Sequence, residues 1–245
     1  MRRIFGFFIL NLKMLLFEKV AFVWSVIFPL FIALVLQKNI LDSANNDVEL
    51  IKYVYWFWAF IIISTFINGI GLQTARLREN GLLKTYTLIA GGKYPIIFGM
   101  VLTQIVFSIL SLTIFTTILT IIYNIFSLKL FLVMVTIVII SIPFAFATLF
   151  LALLPVQISS ISTILNILLY PIFIIAINFD IKKMEAIEMF NPFKFIYEIS
   201  LLISSFLGLL EYKFLHIELV LPFLFYCLVG YLSLKKLNLL SILQR

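Results

Sequence analysis

The densest polar chemistry in this chain lies between Arg76 and Lys93, in R-L-R-E-N-G-L-L-K-T-Y-T-L-I-A-G-G-K. Arg76, Arg78, Lys84 and Lys93 against Glu79 give the segment a net charge of +3. It is set between uncharged runs of 23 residues, Tyr53–Ala75, and 35 residues, Tyr94–Leu128. Guanidinium and ammonium groups in such a cluster can pair with acids of a soluble partner or with lipid phosphates. Their alternative role is topogenic, as the charges that hold a loop on one side of a membrane. Glu79-Asn80-Gly81 reads as a turn or bend. A second group of polar residues lies inside the uncharged runs: Asn68, Gln73, Thr103, Gln104, Gln157 and Asn166. Amides and hydroxyls can hydrogen-bond part of an amphipathic substrate. They do not titrate, whereas ion-coupled carriers use ionisable groups within the membrane. Small and polar Asn68, Gly69, Gly71, Gln73 and Thr74 could line a path or seat a neighbouring helix.

Other chemistries lack their residues. No G-x-x-x-x-G-K-[ST] run cradles nucleotide phosphates, and Gly91-Gly92-Lys93 is too short to replace it. The single histidine, His216, reads as a surface residue near the outer interface, and the single cysteine, Cys227, as a small buried apolar side chain. With one of each, the usual zinc ligand sets are out of reach, so no metal site is expected. Neither G-x-S-x-G nor H-E-x-x-H occurs, and no catalytic residues are assigned.

The elements that must carry these residues follow from composition. Of 245 residues, 64% are hydrophobic and 12% charged, which is the balance of a polytopic, all-α integral membrane protein. Residues 1–19 mix Phe5, Phe7, Phe8, Leu12 and Leu15 with Arg3, Asn11, Lys13, Glu18 and Lys19, the pattern of an amphipathic helix at the membrane surface. The charges after the apolar N-terminal residues argue against a signal peptide. Six spans are expected at 20–37, 53–75, 95–123, 130–154, 157–179 and 217–235, with a short re-entrant outer segment at 180–216. The first, with 18 residues, reaches ~27 Å of a ~30 Å core. Tyr53, Tyr55, Trp56 and Trp58 read as an aromatic belt at the outer end of the second. The N-terminal segment, the Arg76–Lys93 loop and the tail each carry +3, against −1, +1 and −2 for the three alternate segments. Basic residues favour the cytoplasmic side, so the asymmetry predicts both termini inside. It also accounts for the net charge of +7 by topology, without nucleic acid.

Three local features carry a resemblance. R78-E-N-G-L-L-K84 follows the second span, Gly99 stands in the third, and Asn191-Pro192 precedes the last. In this order they resemble the membrane subunits of ABC-2 type exporters, whose loop between spans two and three has a pattern close to R-E-x-G-x-L-K. The resemblance covers about the full length. It implies a single transmembrane domain over 1–245 and a coupling helix over about Arg76–Ile89, seated in a separate P-loop ATPase subunit. By matched position, Glu79, Gly81 and Lys84 would give contact or shape there, with Arg76 and Arg78 pairing with acids or lipid phosphates. ATP and Mg would bind the partner and not this chain. A second permease subunit, identical or homologous, would complete the path, and membrane lipids would surround a multi-pass protein of the bacterial plasma membrane. The cargo expected is an amphipathic or hydrophobic peptide or drug. Alternatives at this level are a non-transporting immunity or sensor protein, export of a lipid-linked molecule, and a membrane enzyme.

Overall fold

A backbone in hydrocarbon finds hydrogen-bond partners only within its own segment, so long uncharged runs are driven to helix. The structure, a computed structural model, describes residues 2–17, 23–36, 47–178, 189–211 and 217–238, and every regular element among them is helical. Helix α1 is Arg2–Phe17. Helix α2, Phe28–Leu36, is entered through a π-helical turn, Val23–Ile27. Helix α3, Asp47–Phe66, runs through a π-helical stretch, Ile67–Leu72, into α4, Gln73–Glu79. The short α5 is Leu82–Ala90 and the long α6 is Tyr94–Tyr123. Helices α7, Leu128–Ile140, and α8, Ile142–Ala147, continue into a 3-10 stretch, Thr148–Leu153. Three helices follow: α9, Ile158–Asn178, α10, Pro192–Phe206, and α11, Ile217–Lys236.

Among the described residues, five stretches are long and apolar enough to cross a membrane: Val48–Glu79, Tyr94–Tyr123, Leu128–Leu153, Ile158–Ile177 and Leu219–Lys236. The molecule is therefore an all-helical, multi-pass membrane protein. Ser25–Val35 is apolar but shorter, and the ends of the span expected at 20–37 fall on residues 18–22 and 37–46, outside the described residues. Residues 179–188 and 212–216, including most of the expected outer segment's flanks and His216, also lie outside them.

Val48–Glu79 is the central helix, with 72% of its most apolar window buried, against 24% for Ile158–Ile177. It begins before Tyr53, because Asp47–Lys52 is helical and Lys52 pairs with Glu49 at 2.8 Å one turn away. The expected aromatic belt is a packing centre instead. Tyr55 and Trp58 are fully buried, Trp58 Nε1 donates to Thr116 Oγ1 at 2.9 Å, and Tyr55 shares a hydrogen bond with Ser204. Helix α10 supplies the cover: it packs on α3 and α7, and its Tyr197 ring stacks on Trp56 at 4.0 Å. The Asn191 side chain accepts from the Phe193 N–H at 3.0 Å and so caps α10, with Pro192 in the first turn, where its missing N–H costs nothing.

Helix α1 lies on α6. The approach is close at Gly99, where a Cβ would stand 2.7 Å from Phe7 Cβ and 3.0 Å from the Phe8 backbone nitrogen. Glycine is what permits backbones to come together in this way.

Arg76–Ile89, which the resemblance implies as one helix, is divided between two at the turn that Glu79-Asn80-Gly81 suggested. Helix α4 ends at Glu79, and Gly81 turns the chain with φ 72° before α5 begins. Left-handed backbone is cheap only for glycine. A second such residue, Gly91 with φ 70°, ends α5.

Candidate functional site

At the end of the bundle that carries the Arg76–Lys93 segment, charged side chains meet helix ends of opposite polarity. Arg78, only 7% exposed, donates from Nη2 to the Leu154 carbonyl at 3.0 Å, where the 3-10 stretch ends. Glu79 Oε2 accepts from the Ile158 N–H at 2.8 Å, at the start of α9. Arg3 Nη1 donates to the Ala90 carbonyl at 2.9 Å, the last residue of α5. Lys93 Nζ donates to the carbonyls of Lys235 and Leu237 at 3.0 and 3.1 Å, at the end of α11. Cations on carbonyl ends and an anion on an N–H end follow the helix dipole and satisfy groups that the helices leave open. Partial burial at that end lowers the Lys93 ammonium pKa from its ordinary value.

Helix α5 stands out from this clasped base. Leu83 and Ala90 face inward, while Lys84 and Thr85 are exposed, with Leu88 and Ile89 at 77% and 72%. Gly81 sits in open space, with nothing within 4 Å of a Cβ added there.

Beside the same end lies a cavity of about 840 Å³ between α1, the π-helical turn before α2, α3–α4, α6 and α9. That volume falls within the range of roughly 300–1,000 Å³ typical of ligand sites. Its polar lining includes Asn68, Gln73, Gln104 and Arg76, together with Asn11 and Ser64. Its apolar lining includes Phe60, Met100, Phe107 and Leu169. Arg76 Nη1 donates to Gln73 Oε1 at 3.2 Å, and Asn68 Nδ2 to the Ser64 carbonyl at 2.9 Å. The buried Asn11 Nδ2 meets no acceptor among the described residues.

The π-helical stretch builds the wall. Phe60, Ser64, Asn68, Leu72 and Arg76 all line the cavity at intervals of four. On a regular α-helix such a row drifts by ~40° per step. The wider π turn holds more residues per turn and cancels part of that drift. Two glycines admit the neighbours: the Gln104 amide lies over Gly69, and a Cβ at Gly71 would stand 2.7 Å from the Thr148 carbonyl oxygen.

Three of the polar residues named within the apolar runs, Asn68, Gln73 and Gln104, thus share one space, and Arg76 joins them. Thr103 does not. It is fully buried against α1 and donates to the carbonyls of Gly99 and Phe8 at 2.9 and 3.2 Å. Asn166 is on α9, and its side chain lies outside the described residues. Arg78 and Glu79 turn inward to the 154–158 turn, Lys84 points outward, and Gly81 makes the bend between α4 and α5. Sequence reasoning missed Asn11, Ser64, Thr65, Ser162 and Tyr170 in the lining. The spacing of Ser64, Asn68 and Arg76, four and then eight residues, was the available signal.

Comparison of the chain with protein-family models, with curated proteins and with solved structures gives no match.

Proposed function

We propose that this chain is the membrane subunit of an ATP-driven exporter of ABC-2 type, working with a separate P-loop ATPase and a second permease subunit. The observation that carries this reading is α5. It is a short helix joined by glycine turns to the long helical stretches Val48–Glu79 and Tyr94–Tyr123, with Leu88 and Ile89 exposed beside Lys84 and Thr85. An apolar ridge with a cation suits a groove on a soluble protein better than open water.

The clasps support a coupling role. A push on α5 reaches α1 through Arg3 and Ala90, α9 through Glu79 and Ile158, and α11 through Lys93. Helices α1 and α9 both border the cavity. The force would therefore act on the walls of the space where cargo sits. In this reading Arg78, Glu79 and Gly81 transmit the stroke, and Lys84 faces the ATPase. Six spans, counting the one that contains Ser25–Val35, put both termini on the cytoplasmic side of a bacterial plasma membrane.

The test is purification of the tagged full chain from its native membrane, followed by ATP photolabelling of what accompanies it and ATP-dependent uptake into inside-out vesicles. A nucleotide-binding subunit and ATP-dependent uptake are expected, both lost in a Leu88→Asp/Ile89→Asp variant that remains folded. Full activity of the chain alone would overturn the proposal.

A further inference from the structure

We infer that the cavity receives an elongated amphiphile with an anionic head, a carboxylate or phosphate, held at Arg76, and its apolar tail laid toward Phe60. The inference rests on reading this cavity as the cargo site of the proposed permease and narrows its cargo by charge. The geometry is polarised along the central helix. Arg76 and Phe60 both line the cavity, and the sixteen residue steps from one to the other correspond to ~24 Å of helix. At one end stand the Arg76 guanidinium and the Gln73 amide. At the other stand Phe60, Leu169 and Tyr170.

Among the described lining residues Arg76 is the one with a charge, and none of them is a carboxylate. Among the described residues its one hydrogen bond, at 3.2 Å to the neutral Gln73, leaves most of its five donors for a ligand. A guanidinium beside amide N–H groups matches an oxyanion in both charge and hydrogen bonding. The same end disfavours a cationic head. A long tail suits the far end, because the Phe60 and Tyr170 rings and the Leu169 side chain offer it dispersion contacts.

The test uses the full chain in phosphatidylcholine nanodiscs, with bound ligand read by intact-protein mass spectrometry. It needs neither the ATPase nor transport, so its failure leaves the coupling proposal standing, and loss of coupling leaves it untouched. Dodecyl phosphate and dodecyltrimethylammonium are the paired probes. The phosphate should be retained about tenfold better, the preference that one charge-assisted hydrogen bond supplies. Arg76→Gln should abolish the preference, Arg76→Lys should keep most of it, and Lys236→Gln, which removes a charge at the same end but outside the cavity, should leave it intact. Adding phosphatidylglycerol distinguishes the source: displacement of dodecyl phosphate identifies a bilayer lipid as the occupant, and persistence identifies a free amphiphile. Equal retention of the two probes by the unaltered chain, or an unchanged preference in Arg76→Gln, would overturn the inference.

Discussion

Arg3, Arg78 and Lys93 each donate to a carbonyl where a helical element ends, and Glu79 accepts where one begins. The residues that make this end of the chain basic thus also satisfy the backbone groups that helices leave open. Replacing Glu79 with Gln keeps the shape and removes the charge. The expected result is a loss of about 1 kcal/mol from the start of α9, read as faster amide exchange over residues 158–161. Gly71 allows a sharper contrast with Gly6. A Cβ at Gly71 meets the Thr148 carbonyl, whereas one at Gly6 meets nothing within 4 Å. Gly71→Ala should destabilise the protein by about 1–3 kcal/mol, while Gly6→Ala should be neutral or stabilising by up to ~1 kcal/mol. Thermal unfolding in detergent separates the two.

For the elements, the decisive features are two departures from regular α-helix. The π-helical stretch Ile67–Leu72 keeps Ser64, Asn68 and Arg76 on one wall of the cavity. The Asn80–Gly81 turn divides the segment that the resemblance implies as one helix, so that α4 stays in the bundle while α5 projects. Gly81→Ala would place a Cβ on left-handed backbone at a cost of about 1–2 kcal/mol. The cost should appear as increased amide exchange confined to residues 82–90, because nothing packs on that position. Exchange that also rose across α6 would show α5 to be part of the core.

At the scale of the whole molecule, the charge asymmetry predicts which face meets the cytoplasm. On a Cys227→Ser background, a cysteine at Thr85 should react with an impermeant maleimide only after cells are opened. A cysteine at Asn124, at the far end of α6, should react on intact cells. Reversal of the pair would put α5 out of reach of any ATPase. The same asymmetry was readable from the lysines and arginines alone, as were the long apolar helices, because uncharged runs of this length have one stable way to satisfy their backbone in lipid. The aromatic cluster Tyr53–Trp58 was misread, because an interfacial belt and a buried packing centre draw on the same residues, and only the docking of α10 distinguishes them.

The amino-acid order by itself determined that this chain is helical, membrane-crossing and basic at one end, since those properties depend on composition along short windows. It also supplied Asn68, Gln73 and Gln104 as polar groups that would need company in an apolar setting. The tertiary structure alone decided that these three share a cavity with Arg76 while Thr103 faces α1, and that Arg78 and Glu79 turn inward while Lys84 does not. Which way a side chain points depends on the rotation of its helix and on its neighbours. Here that rotation is set by a π-helical stretch and by glycines whose partners lie far away in sequence: Gln104 over Gly69, Thr148 against Gly71 and Phe7 against Gly99.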